Sequence, residues 1–365
     1  MPLAHKMTRE PLIEMSIFMP PLHHQHHLPR APAQGAFDFC CPQPAHHTCK
    51  PTPAYLFIAD NCGALRVVDP DTNKTVACTQ VRCPAGIAID CDLCKLYVAN
   101  EQGSALTVLS TNNLQQLGCI PLQECRNTCV PAQDSLRLAV NPNNHRVYIP
   151  QPDSGKLAVV NGFHNSLMDL VRVGGCPVAA AVHSRTNLVY VANHTSEIPV
   201  LNSNSNQVFT HIILPGDSGV RDVLVNHCDN RIYALRDDGS IAVMNSTTNT
   251  LVQSVHPPGG GVTLALNPAI GLLFVINEAR DAVLVYDTCT LEQVGTLDIA
   301  PSTCHCFAQL AVNTHTHLVY ISDPCADTTY VMDGGMNIPI AEIPTAGQSL
   351  AVLSCAQNCP VCARR

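Results

Sequence analysis

Apolar and polar positions along this chain fall into short runs, not long helical stripes. Runs of four to eight apolar residues are bounded by Gly, Pro, Asn and Asp, the punctuation of strands joined by tight turns. Within this pattern one five-residue phrase returns seven times: an apolar residue, an aromatic, two more mostly apolar residues, then usually Asn or Asp. The copies are Leu56-Phe57-Ile58-Ala59-Asp60, Leu96-Tyr97-Val98-Ala99-Asn100, Val147-Tyr148-Ile149-Pro150-Gln151 and Val189-Tyr190-Val191-Ala192-Asn193. They continue as Ile232-Tyr233-Ala234-Leu235-Arg236, Leu273-Phe274-Val275-Ile276-Asn277 and Val319-Tyr320-Ile321-Ser322-Asp323. The aromatics are spaced by 40, 51, 42, 43, 41 and 46 residues. A strand-rich period in the low forties predicts a β-propeller with one blade per repeat.

Each copy belongs to a larger unit. An apolar run precedes it, as in Gly86-Ile87-Ala88-Ile89. A second run follows it and usually closes on Asp or Asn, as in Val67-Val68-Asp69 and Val243-Met244-Asn245, with Val108-Leu109-Ser110 in the second repeat. A Thr/Asn-rich turn then leads to a weaker outer strand. Four strands per unit make a blade, lettered A to D from the inside outward. The first unit begins at its strand B, and the last is followed by an orphan strand at 348–353. That strand is predicted to join the first blade, which closes the ring without an open edge. The expected architecture is therefore all-β and seven-bladed, with a propeller over 55–354. A His/Pro/Cys-rich, largely irregular arm occupies 1–54, and a Cys-rich tail occupies 355–365.

The phrases Tyr97-Val98-Ala99-Asn100 and Tyr190-Val191-Ala192-Asn193, each followed by a strand ending in a polar residue, resemble the YVTN-type β-propeller repeats. The resemblance spans roughly 55–354. It implies a seven-bladed propeller of a kind common among bacterial and archaeal surface, periplasmic and ligand-binding proteins. Related seven-bladed propellers include lactonases, but no lactonase residue set maps onto this chain.

Charge narrows the partners. Lys and Arg total 20 against 28 Asp and Glu, charged residues make up 13% of the chain, and no basic cluster occurs. A nucleic-acid partner is not expected. No apolar stretch reaches the roughly 18 residues of a membrane span. The first thirty residues do not read as a secretory signal, because Leu12–Phe18 is interrupted by Glu14 and followed by Pro20-Pro21.

Twenty cysteines and no tryptophan are the other unusual feature. Such a load points to disulfides, metal sites or both. Cys40, Cys41 and Cys49 in the arm and Cys355, Cys359 and Cys362 in the tail converge if the ring closes as expected. They are candidates for disulfides within or between chains. Cys359 and Cys362 also have a metal-knuckle gap, and His46 and His47 could complete a zinc or copper set. Cys91 and Cys94 flank a predicted hairpin tip, placed for a local disulfide or a metal. Cys119, Cys125 and Cys129 ride on the insertion behind the 51-residue spacing and read as a stapled loop. Cys304-His305-Cys306 is a further metal or redox candidate. Histidines at other hairpin tips, among them His145, His183 and His227, read as solvated turn residues.

No nucleophile elbow, phosphate loop or paired-histidine zinc motif occurs. Acidic residues after the phrase, including Asp60, Asp237, Asp238 and Asp323, read as turn formers. The leading reading is a non-enzymatic structural or binding propeller, disulfide-stabilised and tethered through its Cys-rich ends to protein partners or to its own copies. A covalent homo-oligomer in a cell or spore surface assembly fits that reading, with the cytoplasm as the alternative location, and no cofactor is expected. A metal-binding propeller using the terminal Cys and His residues is the first alternative. A lactonase-like hydrolase using His194 and Arg221, with Glu101, is the second.

Overall fold

The computed structural model describes residues 55–60, 63–100, 105–122, 135–299, 309–347 and 349–353. Seven four-stranded antiparallel sheets account for nearly all of them. The innermost strands are Ser349–Val352, Pro84–Asp90, Ala139–Asn141, Ala179–His183, Val220–Asn226, Gly261–Asn267 and Gln309–Val312, in blade order one to seven. Each packs beside the next, and the seventh packs beside the first, so the blades form a closed ring. The expected closure is present: Ser349–Val352 pairs antiparallel with Leu56–Ala59, placing Leu350 opposite Ile58. No helix among the described residues is long and apolar enough to cross a membrane.

The repeated phrase forms strand B of every blade, and its aromatic is the reason the repeat is legible. Phe57, Tyr97, Tyr148, Tyr190, Tyr233, Phe274 and Tyr320 are all completely buried. Alternation sends the residues of a strand to opposite faces, so each sheet contributes to two gaps at once. The result is seven hydrophobic clusters, each lying between two neighbouring blades, in place of one central core.

The tyrosine hydroxyls reach across these gaps to the C–D turn of the following blade. Tyr148 donates to Ser203 Oγ at 2.7 Å, and Tyr190 and Tyr233 reach the carbonyls of Ser246 and Thr288 at 3.4 Å. Where the turn carries glycine, the ring crowds the backbone instead. A Cβ at Gly162 would stand 2.7 Å from the Tyr97 hydroxyl, and one at Gly334 would stand 2.8 Å from the Phe274 ring.

A second repeated contact joins neighbouring blades at the A–B hairpin tips. The residue that ends strand A meets the left-handed residue of the next blade's tip. Asn141 Nδ2 donates to Asn187 Oδ1 at 3.0 Å, His183 Nε2 lies 3.3 Å from Asn230 Oδ1, and Asn267 Nδ2 lies 3.3 Å from His317 Nδ1. Asn187, Asn230 and His317 have φ of 55°, 55° and 63°, a region in which Asn and His are enriched.

Candidate functional site

The sequence-named residues Cys40, Cys41, Cys49, His46, His47, Cys125, Cys129, Cys304, His305, Cys306, Cys355, Cys359 and Cys362 lie outside the described residues, as does Glu101. Two places among the described residues bring chemistry-bearing side chains together: the central channel, and the gap between the tips of blades 2 and 3.

The channel is organised by Arg137, which precedes the inner strand of blade 3. Its backbone is held by the inner strand of blade 4, donating to Val178 O and accepting from Ala180 N, both at 3.0 Å. Its guanidinium crosses the axis. Nε and Nη2 donate to the two carboxylate oxygens of Asp222 in blade 5 at 2.7 and 2.8 Å, and Nη2 also donates to Leu264 O in blade 6 at 2.9 Å. Asp222 is buried, and this two-pronged pairing is the geometry that compensates a carboxylate away from water.

Arg137 lines two cavities, so it forms the partition between them. One, of about 280 Å³, is walled mainly by apolar inner-strand residues such as Leu224, Ala265, Leu310 and Ala351. The other encloses about 50 Å³ and is lined by His194, Arg221, Asp222 and Thr263, among others.

Arg221 reaches this second cavity through a bulge in strand A of blade 5, where pairing passes from Val220 directly to Asp222. His194 has φ of 52°, and its Nδ1 lies 3.0 Å from Asp237 Oδ1. Arg221 Nε stands 4.0 Å from the same oxygen. The hydrogen bond with His194 holds the Asp237 carboxyl below the usual carboxylate range, and the nearby positive charges add to this. His194 and Arg221, named together from sequence, therefore share one pocket. Both are turned toward the Asp237 carboxylate, which holds them as its partners. The lactonase reading is not supported by this arrangement.

The other acidic residues of this face behave as turn formers. Asp60 Oδ1 accepts from Ala64 N at 2.8 Å, Asp238 from Ser240 N at 2.9 Å, and Asp323 from Cys325 N at 2.9 Å.

The second place is the gap between the hairpin tips of blades 2 and 3, where the inter-blade contact is Asp90 with His145 instead of an amide pair. Asp90 Oδ2 lies 2.8 Å from His145 Nδ1, and Asp90 Oδ1 accepts from Leu93 N at 3.1 Å. Asp92 adds a third donor, and one ligand atom from each of the three residues lies within 4.8 Å of the others. The His145 ring is held edge-on by Phe163, with centroids 4.5 Å apart. Lys95 is buried alongside and donates to Gly162 O and Asn165 Oδ1. Burial lowers its pKa, and the charge of Asp90 partly opposes that shift.

The tip histidines are less solvated than their turn setting suggested. His183 is fully buried and His145 is only 13% exposed, because each sits against the following or preceding blade as well as in a turn. Sequence reading missed Asp90. The signal available was its alignment with Asn141, Asn226, Asn267 and Asn313 at the end of strand A, where it is the charged exception.

The cysteines are scattered. Cys119 belongs to the outer strand Gln116–Pro121, so the insertion begins later than expected. Cys94 N donates to Cys91 O at 3.2 Å and closes the blade 2 tip. Cys94 is buried, and Cys91 packs half-buried against the hydrophobic cluster between blades 1 and 2. Cys78 is an exposed free thiol on the outer strand Lys74–Gln80.

No family model and no curated protein sequence matches the chain. Among solved structures it is similar to hydrazine synthase of Kuenenia stuttgartiensis, with a TM-score of 0.61 and 15% identity over 73% of this chain and 88% of that one. It is also similar to AztD of Citrobacter koseri. The apo structure gives a TM-score of 0.58 and a second structure 0.60, each at 12% identity over 82% of this chain and 98% of that one. At these identities the similarity concerns the fold alone, and it agrees with the propeller read from the residues.

Proposed function

We propose that the chain is a non-enzymatic structural or binding propeller, hardened by disulfides and joined through cysteines to protein partners or to its own copies in a surface assembly. The observation that carries this reading is the partitioned channel. Arg137 is committed to Asp222 and Leu264, His194 and Arg221 both face Asp237, and the polar cavity beside them is small. Groups paired in this way hold blades together across the axis and leave little freedom for acid–base work.

The cysteines support the cross-linked half of the reading. This reading assigns Cys94, Cys176, Cys228, Cys289 and Cys325 to disulfides. No two described cysteines stand at disulfide distance, so the reading seeks partners among the eleven cysteines outside the described residues. Cys78 adds a free thiol on an outermost strand, where a second chain could approach. Val76, Phe209, Ile213, Val252, Val294 and Ile340 are exposed on the outermost strands of five blades. The YVTN-type repeat family is the reading that the recurring phrase supports.

Sedimentation of the full chain with and without reductant, beside Cys78→Ser, tests this function. Covalent multimers that collapse on reduction, with fewer in the variant, are expected. A monodisperse monomer under both conditions would overturn it.

A further inference from the structure

The gap between the tips of blades 2 and 3 departs from the rule that governs the other gaps. Where strand A ends, blades 3, 5, 6 and 7 carry Asn141, Asn226, Asn267 and Asn313, and blade 4 carries His183. The hydrogen bonds seen there join neutral or amide groups. Blade 2 places the carboxylate of Asp90 in that slot at 2% exposure. A neutral amide pair would serve the fold equally well, as the neighbouring gaps demonstrate. A buried carboxylate is the costlier choice unless a positive partner faces it.

The partner facing Asp90 is His145, which makes an ion pair only when its ring carries a second proton. The buried Lys95 ammonium directs its hydrogen bonds elsewhere, to Gly162 O, Phe163 O and Asn165 Oδ1. Asp90 Oδ1 is occupied by Leu93 N, which leaves Oδ2 directed at His145 Nδ1. Asp92 brings a second carboxylate from the same hairpin, at a position where the other tips hold Asn143, Arg185, Cys228, Ala269 and His315.

A further observation is independent of the cluster. The Tyr97 hydroxyl is completely buried, has no hydrogen-bond partner and lies close enough to Asp90 to feel its charge. The equivalent Tyr148 hydroxyl, one blade on, has Ser203 as its acceptor. That leaves a buried, unsatisfied hydroxyl close to the Asp90 carboxylate, a feature that calls for a partner.

We infer that Asp90, Asp92 and His145 form a divalent transition-metal site at the inter-blade gap, with zinc the ion that best suits the donor set. Two carboxylate oxygens and one imidazole nitrogen provide three ligands and leave a position for water, as in open zinc sites. His145 must then present Nδ1 without its proton. Phe163 against the ring edge fixes the plane in which that nitrogen points. The ion would replace the His145–Asp90 hydrogen bond with a stronger tie between blades 2 and 3, so binding should raise the stability of the whole ring.

The test is equilibrium dialysis of the untagged full chain against zinc, followed by elemental analysis and thermal melting, for wild type, Asp92→Asn and Asp90→Asn. The terminal cysteines and histidines take up metal equally in all three, so the difference between proteins isolates this site. Asp92→Asn changes an exposed side chain, and Asp90→Asn installs the residue that four other blades carry, so both variants should fold. The expected result is one zinc equivalent fewer per chain in each variant, with a smaller zinc-induced rise in Tm. Equal stoichiometry and an equal rise in Tm across the three proteins would overturn the assignment.

Discussion

At the residue scale, individual polar atoms decide which parts of a repeated design are equivalent. Tyr148 and Tyr320 occupy the same position in different blades and are equally buried, but only Tyr148 has an acceptor for its hydroxyl. Tyr148→Phe should therefore cost about 1 kcal/mol in urea unfolding, the net worth of one hydrogen bond. Tyr320→Phe should change stability by no more than about 0.5 kcal/mol. Equal losses would show that the staple is ring packing alone. Arg137 is a sharper case. Arg137→Met leaves Asp222 without its charged partner, and a loss of roughly 3 kcal/mol is expected in the same experiment.

His183 gives a pH dependence with a definite sign. Burial holds its pKa below the ordinary 6.5. The unfolded chain therefore takes up a proton on acidification while the folded ring stays neutral. Stability from this group is present above 6.5 and is lost as pH falls below it. Nearby His227 is shifted in the same direction, by burial first and then by His183 and Arg185, whereas Asp229, pushed up to about 6 by burial, acts in the opposite sense. His183→Asn copies four other blades and removes the His183 contribution together with its share of the His227 shift, which has the same sign. Its Tm relative to wild type should rise as pH is lowered from about 7.5 to about 5.5. A constant difference over that range would contradict the account.

At the element scale, the blade is a strand quartet with a built-in irregularity. In all seven blades the pairing of strands C and D shifts register, at places such as Val67/Val68, Val159/Val160 and Val243/Met244. A bulge there twists the outermost strand and makes it a poorer template for unintended pairing. These shifts were not legible in the sequence, since a bulge adds one residue without changing the run of apolar side chains. The B strands were legible because each aromatic sits in the same buried slot, and seven copies of one environment leave seven copies of one phrase. Arg137 and Asp222 were not, because they are 85 residues apart and belong to no repeated phrase. His194 and Arg221 could be named but not joined, since a bulge and a left-handed turn bring them to one pocket.

The closing strand was legible from its likeness to the other inner strands, and it carries a prediction of its own. Removing residues 348–365 takes away the partner of Leu56–Ala59 and the neighbour of the inner strands in blades 2 and 7. The shortened chain should melt well below the full one or fail to fold cooperatively. A truncation that melts as the full chain does would place ring closure elsewhere.

At the scale of the whole molecule, stability is spread around a ring of seven inter-blade cores, tied by tyrosine staples at the turns and by Arg137 across the axis. A ring of this kind offers faces and a rim for binding while its interior is occupied with holding itself together. The proposed function assigns the cysteine load to cross-linking. The most direct measurement is the intact mass of the full chain, alkylated under denaturing conditions before and after reduction. The account predicts far fewer than twenty alkylated thiols before reduction, at least five sulfurs withheld, and covalent multimers that disappear with reductant. Twenty alkylated cysteines on a single-chain mass without reduction would contradict it.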